Sequence, residues 1–325
     1  MKIAFYSGDM GKKHVSRIIE LLKGHAPHHQ YNHDDDSQVD LWHCMMPHSS
    51  IAFMPKASRS VVTLSDLNFI THPEIYSTFE RMFLLPLYRY HCRHAAYLIA
   101  YNSVSKRRLV DSLGIDDSNV VVCSSPNSLP ANDAPTSEEM LSLRSRLSLP
   151  ESYILVTGEM DTMHGHTTAL HALLASPHSL NIVIYGRRTT HSDVLLEAVR
   201  DAGAANRIQF IYEIASSDIA ALYRMAYLMI YLPTFDSSIT PIIEALHQRV
   251  PMILSDTSLN REVAAHAATY VEPYDEEALS AALKQVIYNE SFRGQLIAQC
   301  WAESRRYSEE GLAEQLAQIY EAANP

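Results

Sequence analysis

The chain has 325 residues, enough for two domains of ordinary size, each with its own core. Its 47% hydrophobic and 19% charged residues exclude wholesale disorder, and a formal net charge of −11 argues against a nucleic-acid partner, which needs a basic face. Cys44, Cys92, Cys123 and Cys300 have no paired spacing, which suits a reducing compartment, and no apolar run approaches the ~20 residues that span a bilayer.

Lys2–Tyr6 reads as a short buried strand with no charged-then-apolar leader ahead of it, so a cytoplasmic protein is expected. A turn, Ser7–Gly11, carries Gly8 and Gly11, and a helix from Lys12 to Lys23 follows with Val15, Ile18, Ile19 and Leu22 at helical spacing. Gly24–Gln38 is rich in His and Asp, poor in apolar residues and without period, and reads as an exposed loop. Within it Asp34–Asp36 is an ordinary solvated run. His25, His28, His29 and His33 have neither helical nor knuckle spacing, so no metal site is expected there.

Strands are expected at Val39–Trp42, Val61–Leu64, Tyr97–Tyr101 and Val120–Cys123, with two helices near Ile75–Leu84 and Leu87–Ala96. The segment Tyr76–Arg93 mixes Phe79, Met82, Phe83 and Leu87 with Arg81, Arg89 and Arg93. It could rest on a membrane surface, or form core helices with a polar face; both readings stay open. Ser124–Asp133 has a linker composition, and the helix Ser137–Leu147 leads out of it.

The second half alternates more cleanly. Strands at Tyr153–Thr157, Asn181–Tyr185, Ile208–Ile211, Leu228–Tyr231, Pro251–Leu254 and Thr269–Val271 are separated by helical segments, which gives a doubly wound parallel sheet with its ligand site at the strands' carboxyl ends. The domains expected are 1–128, 129–306 and a terminal helix, 307–325, that could cross back to the first. No G-x-G-x-x-G follows a strand, which removes a nicotinamide-dependent oxidoreductase.

The most informative stretch runs from Leu232 to Leu246. Asp236 and Glu244 lie eight apart across a loop that becomes a helix, with Thr240 as the expected N-cap and Pro241 as the first helical residue. Free amides at such a helix start favour a diphosphate. An acidic residue there is also ordinary dipole compensation, so the pair alone does not decide between the two. Arg187 and Arg188 follow Gly186 at a strand end, where a phosphate or a base could lie.

In order and spacing, Ile154–Gly158, Ile182–Thr189, Asp218–Tyr223, the Asp236–Glu244 loop, Leu259–Val263 and Ala268–Asp275 resemble the retaining glycosyltransferases of family 4, especially the bacterial mannosyltransferase-like members. Val61–Phe69 and Ser105–Arg107 resemble that family's acceptor domain. The resemblance implies an α/β protein of GT-B architecture, two Rossmann-like domains facing a cleft, the first of them abbreviated. It implies transfer of a hexose, mannose being the sugar indicated, from a nucleotide-diphosphate sugar to a glycan or lipid-linked acceptor, with retention and without a metal or cofactor. Glu244 would hold the ribose and Asp236 the sugar hydroxyls. His164, Gly158, Arg187, Ile239 and Thr240 would face the donor, with Asp66, Gly8 and Gly11 on the acceptor side.

Several working positions depart from the family pattern. Asp236 stands for a Glu, Ser237 and Ile239 for glycines, Met163 and His164 for an Arg–Lys clamp, and Ser65 for a His. A neutral imidazole offers one donor and no full charge. A degenerate subunit that binds a partner or a sugar without turnover is therefore the competing expectation.

Overall fold

The computed structural model describes residues 1–6, 12–33, 39–45, 60–64, 77–123, 134–234 and 238–323. Two compact units result, one made of Met1–Asn127 with Tyr307–Pro325, the other of Ser128–Arg306.

In the first unit the strands are β1 (Lys2–Tyr6), β2 (Gln30–His33), β3 (Leu41–Cys44), β4 (Ser60–Leu64), β5 (Tyr97–Ala100) and β6 (Val120–Val122). They form one parallel sheet in the order β2-β1-β3-β4-β5-β6. Buried Ile3, Ala4, Phe5, Val61, Val62, Leu98 and Ile99 explain why these short runs become strands: in a parallel sheet covered on both faces, nearly every side chain is inside. The helices described are α1 (Lys12–His25), α2 (Leu85–His94) and α3 (Ser103–Leu113).

Two expectations are corrected here. The His-rich stretch is not all loop: Gln30–His33 pairs with β1 as an edge strand, and only Tyr31 supplied an apolar signal. An edge needs less apolar surface than a centre, which is why composition concealed it. The two helices expected near residues 75–96 are joined, because a π-helical segment, Glu80–Leu84, runs directly into α2. Pro86 cannot donate a helical hydrogen bond and crowds the preceding turn, and the wider π turn beside it accommodates that.

In the second unit β7 (Tyr153–Thr157), β8 (Asn181–Tyr185), β9 (Ile208–Ile211), β10 (Ala226–Tyr231), β11 (Met252–Ser255) and β12 (Ala268–Val271) form a parallel sheet in the order β12-β11-β10-β7-β8-β9. This is the doubly wound order, with the winding reversing between β7 and β10. Around it lie α4 (Ser137–Leu147), α5 (His166–Ala175), α6 (His191–Asp201), α7 (Ile219–Arg224), α8 (Thr240–His247), α9 (Ser258–Ala264), α10 (Glu276–Tyr288) and α11 (Glu290–Ser304). Thr136 and Glu139 close a reciprocal capping box that starts α4. One core layer joins Ile154, Val156, Ile184, Leu228 and Ile230 of the strands to Leu170, Leu173, Leu279 and Leu283 of α5 and α10. Each such side chain contributes about 1.5–3 kcal/mol on burial.

The last helix, α12 (Glu309–Ala323), belongs to the first unit. Arg17 of α1 meets Glu309 at 2.6 Å, and buried Tyr320 donates to or accepts from His43 Nδ1 at 2.7 Å. The other nitrogen of His43 bonds Thr63 at 2.7 Å, and full burial pushes the ring's pKa down to about 3, so this imidazole is a neutral structural connector. Among the described residues no helix is long and apolar enough to cross a membrane.

Candidate active site

At the carboxyl ends of β7, β8 and β10, where the winding of the second sheet reverses, an open cavity of about 470 Å³ is lined by Gly158, Asp161, His164, Tyr185, Arg187 and Tyr231, among others. The turn between β7 and α5 builds its floor. Gly158 has φ +125° and Gly165 φ +67°, and a Cβ on Gly165 would stand 2.6 Å from that of Leu232. Glycine is needed at both ends of this turn, once for backbone conformation and once for space as well. Gly186 closes the neighbouring strand end so tightly that a Cβ there would lie 1.7 Å from the Gly158 carbonyl oxygen.

Between these glycines Asp161 organises the loop. Its Oδ1 accepts from the Met163 amide at 2.8 Å and the His164 amide at 3.0 Å, and meets His164 Nδ1 at 2.8 Å. Burial works against this carboxylate, but the bonds from the His164 ring and the two amides outweigh it and hold its pKa below the ordinary range. Protonated or neutral, the His164 ring is fixed through Nδ1. It packs with its centroid 6.3 Å from that of Tyr231. Arg187 meets Glu159 at 2.7 Å with both side chains largely exposed, a pair of small energetic worth that leaves the guanidinium at the cavity rim.

The helix start expected at Thr240 is corrected by one residue. Ile239 occupies the N-cap, with φ −84° and ψ −10°, and Thr240 is the first residue of α8. The Ser238 hydroxyl accepts from the Thr240 amide at 3.3 Å, doing the work assigned to the threonine, and the Ser238 carbonyl accepts from Tyr231 at 3.0 Å. Ile239 is buried, and its φ is one that a β-branched residue adopts without strain.

Glu244 does not lie on the cavity wall. Its side chain is buried, 3.5 Å from Gln248 Nε2, and near enough to the Tyr185 and Tyr223 phenols to help raise their pKa values, burial being the larger cause in each. Burial pushes the carboxyl itself up to about 7. Gly158, His164 and Arg187 are thus gathered round one cavity, with Glu244 buried near its Tyr185 wall and Ile239 and Thr240 beside its Ser238–Pro241 edge. Asp236, Asp66, Gly8 and Gly11 lie outside the described residues, as do Asp34–Asp36 and the Ser124–Asp133 linker.

Sequence reasoning missed Asp161, Tyr185 and Tyr231. The tyrosines had a usable signal, since each is the last residue of a strand in a sheet whose ligands bind at those ends. For Asp161 the signal was its place three residues before His164, inside a turn bounded by glycines.

Residues 143–300 match the model of the family "Glycosyl transferases group 1". That stretch covers most of the second unit, which is therefore similar to group 1 glycosyltransferase domains. The whole chain has the GT-B fold: it is similar to Anabaena HepE in complex with UDP, with a TM-score of 0.74, 15% identity, and 99% and 100% of the two chains covered. WaaG, a glycosyltransferase involved in lipopolysaccharide biosynthesis, gives a TM-score of 0.63 at 13% identity, covering 98% of this chain and 99% of the other. In sequence the chain is 24% identical over 236 residues to the O-antigen chain mannosyltransferase RfbU of Salmonella typhimurium, covering 72% of this chain. It spans only 62% of that relative's length. It is also 22% identical over 283 residues to the Escherichia coli O-antigen chain mannosyltransferase B, covering 84% of this chain and 73% of the relative.

Proposed function

We propose that this chain is a hexosyltransferase that moves mannose from a nucleotide-diphosphate sugar to a glycan or lipid-linked acceptor, with retention and without a metal. The observation that carries this reading is the cavity at the winding reversal of a domain similar to group 1 glycosyltransferases, with a glycine-bounded turn on its floor and a helix start at its edge. The mannosyltransferase relatives support the sugar, and HepE, solved with UDP, supports the nucleotide.

In this reading the Gly158 backbone, His164, Arg187 and the start of α8 at Ile239–Thr240 face the diphosphate. Asp236 takes the hydroxyls of the sugar, and Glu244, buried in the free protein, takes those of the ribose once the nucleotide displaces the Ser238–Pro241 edge that covers it. Asp66, Gly8 and Gly11 serve the acceptor. The chemical driving force is stabilisation of the leaving diphosphate at its departure. A lipid-linked acceptor also gives a use to the exposed stripe of Phe79, Met82, Phe83 and Leu87, flanked by Arg81, Arg89 and Arg93, which suits an anionic membrane surface.

A second reading, a subunit that binds without turnover, is favoured by one specific arrangement: Met163 stands where the family has a cation, and Arg187 is already engaged by Glu159. One experiment separates the two. Thermal-shift titration with GDP-, UDP- and ADP-sugars should stabilise the protein by about 2.7 kcal/mol at 100 times Kd. The stabilising donor should then release its nucleoside diphosphate in the presence of acceptor. Binding without release supports the second reading, and stabilisation by no nucleotide sugar would sink the first.

A further inference from the structure

Away from the cavity, the first unit brings together three groups that the sequence keeps far apart. His28 and His29 occupy the turn between α1 and β2, and Glu321 lies near the end of α12. His28 Nε2 is 3.3 Å from Glu321 Oε1, and His29 Nε2 is 3.9 Å from the same oxygen. The two imidazoles approach with centroids 4.0 Å apart. All three residues offer a ligand atom within 4.8 Å of the others, and among the described residues this is the grouping of histidine and carboxylate with that property.

His29 is the informative member. Its side chain is 7% exposed, yet neither ring nitrogen has a hydrogen-bond partner. Buried polar atoms almost always find partners, and His29, unlike the equally unpartnered His166, has a second imidazole and a carboxylate within ligand distance. Four ligands at about 2.0–2.2 Å around a tetrahedral ion stand roughly 3.3–3.6 Å apart, and the His28–Glu321 separation of 3.3 Å already falls in that range. His28 also lines an adjoining depression with Met1, Lys2, Gln30 and Asp40, which gives solvent a way in for a fourth, water ligand.

We propose that His28, His29 and Glu321 bind one zinc ion, or a divalent ion of similar softness, which fastens the end of α12 to the turn between α1 and β2. Two nitrogens and one carboxylate oxygen suit zinc and do not suit calcium or magnesium, which want oxygen cages. The site is structural. Arg17 and Glu309 tie the start of α12 to α1, and the ion ties its other end.

The test uses full-length protein free of any histidine tag. Zinc sulfate is titrated calorimetrically at neutral pH, with magnesium chloride as the control ion, and thermal stability is followed in parallel. Wild type should take up one tightly bound zinc per chain and melt higher with it. His29→Ala and Glu321→Gln should each weaken that binding roughly tenfold or more. Glu321 is exposed, so its variant folds even if the histidine variant does not. His171→Ala, which removes an exposed His–Glu pair of the second unit, should leave the binding unchanged. Cobalt in the same site should show the visible absorption of a tetrahedral complex, lost in Glu321→Gln. Absence of tight zinc binding, or binding that survives in both site variants, overturns the proposal.

Discussion

Glu244→Gln should make the protein more stable above neutral pH while weakening its hold on a nucleotide. In the fold the carboxyl titrates near 7 because burial penalises its charge, whereas it titrates at 4.5 without that burden. A group that binds its proton more tightly folded than unfolded costs stability as pH rises. The loss begins above 4.5 and is complete above about 7. The difference between the two values is worth roughly 3 kcal/mol. Glutamine keeps the shape and the Gln248 neighbour but has no charge to bury. Near pH 4.5 the two proteins should therefore melt alike. At pH 8 the variant should melt higher by roughly 6–12 °C, taking about 2–4 °C per kcal/mol for a domain of this size.

Ribose hydroxyls that donate to the carboxylate would favour its ionised form. Wild-type affinity for a nucleotide should then tighten as pH rises from 5 to 7, with proton release, and the variant should lose both that response and about 1.5–3 kcal/mol of binding. Calorimetric unfolding and binding across pH 4.5–8.5 check both arms. Parallel melting profiles would refute the buried charge, and unchanged nucleotide affinity would remove Glu244 from the site.

Gly186→Ala places a methyl 1.7 Å from a carbonyl oxygen and should cost about 3 kcal/mol or more, whereas Gly203→Ala, with φ +63° and open space, should cost about 1–2; equal losses in denaturant titration would contradict the close approach. Burial, helped by the His164 ring, pushes His166 down to about 4, so it withdraws about 3 kcal/mol of stability as pH falls from 6.5 to 4. Neither nitrogen of that ring has a hydrogen-bond partner, so His166→Leu should match wild type at pH 7 and pull ahead below 6.5, and profiles parallel down to pH 4 would discount it. Tyr320→Phe strands the buried Nδ1 of His43 and should lower stability by about 1–3 kcal/mol in thermal unfolding; no loss would mean that the bond carries little.

The second unit was legible where burial is uniform. Tyr153–Thr157, Asn181–Tyr185 and Ile208–Ile211 read directly as strands because a sheet covered on both faces needs continuous β-prone runs, and turn residues bound each one. In the first unit Gln30–His33 was hidden by its polar composition, since pairing with β1 supplies what its side chains do not. At the site, Arg187 was found because it follows a strand, and Gly158 and His164 through the family resemblance. The Asp161–His164 bond was not, because nothing in composition says that a carboxylate will accept two amides and a ring at once. Nor could sequence reveal that Ser238 would take the Thr240 amide, since Ser and Thr are equivalent caps by type.

Because α12 completes the first unit, the order of synthesis sets the order of folding. The ribosome makes residues 1–127, then the entire second unit, and only afterwards the helix that closes the first sheet. At about 5–20 residues per second the interval is roughly ten to forty seconds. Throughout it Phe5 lacks the edge-on ring of Tyr320, at 6.3 Å between centroids, and His43 lacks its phenol. The second unit is contiguous and can finish first, reversing the usual N-to-C sequence. The nascent first unit is therefore the part of the chain that needs shelter from aggregation, and a variant lacking α12 would make that exposure permanent.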